Sequence, residues 1–188
     1  MTRFERKAVV LELTILALTL IITTTVGLGL YYQATRHFNL QRTSSMMERF
    51  NSKELVDVRE VTDNWLVKGE SAKALMDRAV DPYSHKSESE KTEEEKSVSA
   101  KAEDAAETVK NLRVFCNFFQ ELGTAYKRGT LDEGYMWDLF RALVTKYGEE
   151  LKPYVEELRV RRKRQQLYQE FLLLADKMKK LNEKYIGE

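Results

Sequence analysis

At 188 residues the chain has the length of one domain, or of one modest domain with an appendage. Its 31 basic residues nearly cancel its 30 acidic ones, which excludes an evenly basic nucleic-acid binder and an acidic tail protein alike. Eight glycines and two prolines exclude collagen-like and proline-rich classes, and the lone Cys116 excludes an internal disulfide and a cysteine-built zinc site.

The first element is an apolar helix. From Leu13 to Tyr32 run 20 residues without a formal charge. At ~1.5 Å per residue they span ~30 Å, the thickness of a bilayer's hydrocarbon core. A helix apolar on every side has no place on a soluble surface. Leu13, Leu16, Leu20, Val26 and Leu30 therefore read as lipid-facing, and Tyr31 and Tyr32 as an interfacial aromatic belt. A cleaved signal peptide has a shorter apolar region, ~7–15 residues, and a small-residue cleavage site. This run is longer and ends in Leu30-Tyr31-Tyr32, so residues 1–32 read as a tail and a single-pass anchor. Glu12 falls at headgroup level near Arg6 and Lys7, where a carboxylate costs little. Thr23 with Gly27, and Thr25 with Gly29, have the small-xxx-small spacing that permits self-association. Arg3, Arg6 and Lys7 before the span balance Arg36 and Arg42 after it, so charge gives no orientation.

Residues 33–50 are polar and read as a juxtamembrane stalk or an extension of the membrane helix. Residues 51–83 supply the first helices of a bundle. Asn51-Ser52 caps a helix carrying Leu55, Val58, Val61, Trp65 and Leu66, Gly69 stops it, Ser71 caps a second, and Asp81-Pro82 ends that one. Residues 84–104 set four lysines against seven acidic residues with one large aliphatic side chain, Val98, and read as a disordered charged linker. Residues 105–186 read as the main bundle of four amphipathic helices. The first has Val109, Leu112, Phe115, Cys116, Phe119, Leu122 and Tyr126 on one face, with Gly129 as its terminal glycine. Thr130-x-x-Glu133 has the form of a capping box, Gly148 reads as a stop, and Pro153 suits a first turn. The last helix carries Leu167, Tyr168, Phe171, Leu174, Ala175, Met178, Leu181 and Tyr185. No segment alternates with period two. The predicted fold class is all-α: one N-terminal transmembrane helix, then an antiparallel helical bundle with a long charged insertion.

Catalytic constellations are missing. His37 is juxtamembrane and His85 lies in the linker, away from the patterned region, and no metal-ligand spacing involves either. Cys116 lies on the apolar stripe, away from the basic, exposed setting of a reactive thiolate. Asp132, Glu133 and Asp138 sit where carboxylates favour a helix dipole, without the spacing of a calcium loop. No catalytic residue, metal or cofactor is expected. Two sets of residues stand out as sites. Arg159, Arg161, Arg162, Lys163 and Arg164 place five cations in six residues. Such a run suits an anionic lipid or a phosphate ligand, against the plainer reading of cations opposing a helix C-terminal dipole with glutamates nearby. Phe118, Tyr135 and Trp137 fall off the main apolar faces, as residues of an interface or pocket would, or of packing against the earlier helices.

Several stretches occur together: Arg49-Phe50-Asn51-Ser52-Lys53-Glu54-Leu55 after the anchor, then Phe118-Phe119-Gln120-Glu121-Leu122-Gly123, Gly129-x-Leu131-Asp132-Glu133, Trp137-x-Leu139-Phe140, Leu151-Lys152-Pro153-Tyr154-Val155 and Leu167-Tyr168-x-x-Phe171. Over most of residues 46–180, apart from the linker, the chain resembles a prokaryotic domain family of unknown function whose members join an N-terminal membrane helix to a helical domain. The motifs are caps, turns and core positions, so the resemblance implies a fold and no catalytic residue. It also implies a cytoplasmic helical domain. The insertion at 84–104 is longer than that family suggests. The expected function is a membrane-anchored interaction or sensor module, with the bilayer and a protein partner, or a second copy through the anchor, as contacts. A ligand-gated membrane effector comes second and an enzyme last.

Overall fold

The computed structural model describes the backbone of residues 3–186 and the side chains of residues 12–184. Arg3, Arg6, Lys7 and Tyr185 thus lie outside the described side chains. The described residues are all-helical, with 82% of the chain in seven helices and no strand. These are α1 (Arg3–Phe50), α2 (Lys53–Lys68), α3 (Ala72–Arg78), α4 (Glu93–Lys127), α5 (Glu133–Glu150), α6 (Lys152–Arg162) and α7 (Gln169–Ile186). They divide into two compact units, residues 1–41 and 42–188.

In the first unit α1 is apolar on all sides from Leu13 to Tyr32. Leu13, Leu16, Leu20, Val26, Leu30, Tyr31 and Tyr32 are all exposed, Leu20 at 69%. The threonines between them close their own hydrogen bonds. Thr19, Thr23, Thr24 and Thr25 donate to the carbonyls of Ile15, Thr19, Leu20 and Ile21 at 2.7–2.9 Å. A helix that satisfies every backbone group and its hydroxyls internally needs no water, which is the condition for a segment in hydrocarbon.

The second unit is built on α4, which packs against α2, α3 and α7, while α5 packs on α7 and α6. The last turn of α1 also belongs here. Phe50 is 2% exposed, and its ring lies 5.5 Å from Phe118, 6.3 Å from Phe115 and 6.4 Å from Phe140, with Arg59 over its face at 5.0 Å. Buried Thr43 accepts the Asp132 amide at 3.0 Å. Residues 33–50 are therefore no separate stalk: they continue α1, and 42–50 are part of the compact unit. The physical reason is α4, whose buried arc is too wide for α2, α3 and α7 alone to cover.

Two glycines set the helix spacing. A Cβ on Gly123 would collide with the Glu170 carbonyl, and one on Gly148 with the Cβ of Ala175. Gly148 is not a stop. Helix α5 continues to Glu150, and the missing side chain lets α7 approach. The cap of α5 is likewise corrected. Asp132 accepts from the Tyr135 amide at 2.9 Å, while Thr130 turns back to donate to Ala125 O at 3.0 Å. Gly69 and Gly129 take left-handed φ of 63° and 65°, as their terminal positions require. Helix α3 already ends at Arg78, before Asp81-Pro82.

The predicted disordered linker at 84–104 is ordered. Thr92 and Glu95 form a reciprocal capping box, and α4 starts at Glu93. Polar contacts, not apolar burial, hold the turn before it. Asp81 accepts from the Tyr83 amide at 2.8 Å and the Ser99 hydroxyl at 3.1 Å. The Lys91 side chain, 5% exposed, pairs with Glu88 at 2.8 Å and Asp81 at 3.6 Å, and Lys86 pairs with Glu95 at 2.6 Å. The Tyr83 amide holds the Asp81 carboxyl below its ordinary range, the Ser87 hydroxyl does so for Glu90, and Lys86 for Glu95. Ala102 and Ala105 then carry α4 into the core.

Three outcomes are expected. Phe50→Ala lowers the unfolding free energy by ~3–5 kcal/mol, whereas Phe38→Ala on the exposed part of α1 stays within ~0.5 kcal/mol, read by urea unfolding in a mild detergent. Gly123→Ala and Gly148→Ala each destabilise, because overpacking of ~1–3 kcal/mol outweighs alanine's helix preference of ~1 kcal/mol; a raised Tm in either would contradict the close approach. Carboxylates with lowered pKa give stability that is complete above ~4 and is lost as pH falls through their folded values. Amide exchange across residues 81–99 should therefore lose protection on acidification before α5 does, after correction for intrinsic rates.

Candidate functional site

Five cations line one side of the second unit. Lys110 and Arg113 are one turn apart on α4, Arg161 and Arg162 close α6, and Arg164 stands in the turn before α7. They border two adjoining hollows of about 310 and 360 Å³ that share Arg113, Leu158 and Arg162. Met76, Ala79 and Val80 give the first an apolar wall, and Leu167 and Tyr168 the second. Among the described residues no carboxylate lines either hollow. Three other clefts differ: they hold Glu70 and Asp104, Glu133 and Asp138, or Glu149 and Asp176.

The turn between α6 and α7 shapes the second hollow. Lys163 and Tyr168 both adopt left-handed φ, 52° and 56°, which costs a non-glycine residue roughly 1–2 kcal/mol. Local bonds hold the turn. Lys163 N–H bonds Val160 O at 3.2 Å, Arg164 N–H bonds Arg159 O at 3.1 Å, and the Arg159 guanidinium donates to Leu167 O at 2.8 Å. Leu167 and Tyr168, expected in the last helix, lie in this turn instead. The Tyr168 side chain is drawn in to 6% exposure. Burial pushes its phenol up to about 12, against the pull of nearby Arg113. Burial also raises the Tyr154 phenol, which donates to Val109 O at 3.2 Å.

The predicted basic run therefore separates into different roles. Arg159 is occupied by the Leu167 carbonyl. Arg161 is ion-paired with Asp77 and, at 2.7 Å, with Glu157. Lys163 forms the C-cap of α6 and lines neither hollow. Arg162 and Arg164 remain at the groove, and among the described residues neither has an ion-pair partner. The run alone could not show Lys110, Arg113 and Tyr168. The two cations on α4 flank buried Leu112 in sequence, but nothing local ties them to residues some 50 positions later.

The predicted aromatic set also separates. Phe118 is fully buried, 5.3 Å from Phe119 and 6.3 Å from Phe140, so it is core and not interface. Tyr135 is 37% exposed beside the α5 cap. Trp137 is partly buried, with Arg141 over its ring at 5.0 Å, and lines a cleft of about 500 Å³ with Tyr126, Met178 and Leu181. Cys116 is buried, and burial raises its thiol pKa, which makes it inert. Among the described residues no three His, Cys, Asp or Glu side chains gather as a metal site would.

No curated protein and no solved structure matches the chain. One family model does, over residues 11–178, and its description is Domain of unknown function (DUF4760).

Proposed function

We propose, from the premise that this chain belongs to the DUF4760 family of domains of unknown function, that it is a membrane-anchored helical binding module without catalytic activity. One observation carries this: α1 exposes apolar side chains on every side between Leu13 and Tyr32 and satisfies its threonine hydroxyls internally. An apolar surface of that extent is a liability in water, and lipid is the solvent that removes it. A signal sequence can match the same length and composition. Against cleavage stand the bulky Leu30-Tyr31-Tyr32 end and the unbroken course of α1 to Phe50 in the core. The bundle then faces the cytoplasm, as the family resemblance implies, and meets a partner there. The Trp137 cleft suits protein contact, since Tyr, Trp and Met are enriched in interfaces.

Membranes holding the full chain should be washed with alkaline carbonate, and the retained protein weighed by mass spectrometry. The protein should stay with the bilayer at full mass. Trypsin should cut the exposed turn at Lys163 and Arg164 in inverted vesicles only. Leu20→Arg with Ile21→Arg, at ~2.5–3.5 kcal/mol each at a helix centre, should release it to the soluble fraction. Release of the unaltered chain, or a product lacking residues 1–32, overturns the anchor. Cleavage in right-side-out vesicles only overturns the cytoplasmic placement.

A further inference from the structure

We propose that the groove between α3, α4, α6 and the start of α7 binds a phosphate group carried on a partly apolar molecule. This goes beyond the binding-module reading and does not depend on the anchor. The first support is uncompensated charge. The chain as a whole is balanced, yet five cations share one groove, and among the described residues the only acids paired with them are Asp77 and Glu157, both on Arg161. Among the described residues Lys110, Arg113, Arg162 and Arg164 have no ion-pair partner. Holding like charges together costs free energy unless an anion neutralises them.

Cations opposing a helix dipole do not explain the cluster. Two of the last four carbonyls of α6, those of Arg159 and Val160, are already bonded by the Arg164 and Lys163 amides. Lys110 and Arg113 lie in the interior of α4, where there is no terminus to neutralise.

The second support is Tyr168. Its ring is buried and lines the groove, while its hydroxyl makes no hydrogen bond among the described residues and is not one of the enclosed polar atoms, so it is open to a ligand there. Its backbone is held at a left-handed φ to place it there. A phenol of raised pKa remains a donor at neutral pH. Donated hydrogen bonds from Tyr168 and the guanidinium forks of Arg113, Arg162 and Arg164 suit a phosphate, which carries about −1.5 to −2 charge and several acceptor oxygens. A single carboxylate would leave most of these cations unmatched. The Met76, Ala79, Val80 and Leu167 walls then take the apolar part of the ligand. Hollows of about 310 and 360 Å³ fit a small molecule or a lipid headgroup.

The full chain, in an uncharged detergent at fixed ionic strength, would be titrated with pyrophosphate and, separately, with dihexanoyl phosphatidic acid, following thermal unfolding. A saturable rise in Tm is expected. Arg113→Gln and Arg162→Gln should each weaken the apparent affinity roughly tenfold, Tyr168→Phe by less, and Arg128→Gln, exposed on the far end of α4, not at all. Arg162 is exposed and makes no ion pair among the described residues, so its variant is expected to fold even if Arg113→Gln does not. Saturation by pyrophosphate assigns a free phosphorylated compound, and saturation by phosphatidic acid alone assigns a lipid headgroup. No shift with either probe, a shift that sulfate reproduces equally, or one unchanged in Arg162→Gln overturns the proposal.

Discussion

The second unit depends on the burial of α4. Its residues Phe115, Phe118, Phe119 and Leu122 are all fully buried, and these point around more than one face of the helix. A helix with so wide an apolar arc is stable only if several elements close on it. Helices α2, α3 and α7 cover most of it, and Phe50 at the end of α1, Phe140 and Tyr147 of α5 and Tyr154 of α6 close the rest. Most ring contacts are edge-on or tilted, Phe119 stacks on Phe171, and Arg59 lies over the Phe50 face. The last turn of α1 is for this reason structural, and the compact unit begins at Arg42 and not at the first cap after the helix.

Charge is distributed unevenly around that core, and each part of the surface uses it differently. In residues 81–99, lysines and carboxylates alternate and pair locally, so a segment with almost no apolar area is still ordered. Most of these pairs are solvated and individually weak. Lys91 is the exception, with its side chain buried between Asp81 and Glu88. At the α4–α6 groove Lys110, Arg113, Arg162 and Arg164 have no such partner among the described residues, and only Arg161 is paired. The same near-neutral composition therefore yields one region that is self-satisfied and one that invites an anion.

The family match spans residues 11–178 and so includes the apolar helix together with the bundle. On the proposed anchored reading, tethering would raise the effective concentration at the surface, so that a weak groove or cleft would be sufficient for recognition. The two surfaces that stand out, the basic groove and the Trp137 cleft, are separate in lining residues and opposite in charge. Nothing in the geometry requires them to act together.

The helical class, the uncharged span at 13–32, the Ser52 and Ser71 caps and the Gly69 and Gly129 ends were all legible from the chain, because each depends on residues within one or two turns of one another. The Thr92-x-x-Glu95 box was equally local and was masked by the charged composition around it. Other features were not local. Phe118 reads as off-stripe for a helix with one partner, and is core because α4 has several. Gly148 reads as a stop and is a contact, since only the position of Ala175 on α7 distinguishes the two. The basic run was visible as charge. Which of its members are free was decided by Leu167, Asp77 and Glu157, and which residues join them by the packing of α4 against α6 and α7. Local sequence determines the helical class, the apolar span and those helix ends whose caps lie within a turn or two. The neighbours of a side chain across helices are decided by packing alone, because those contacts join residues with no pattern between them in the chain.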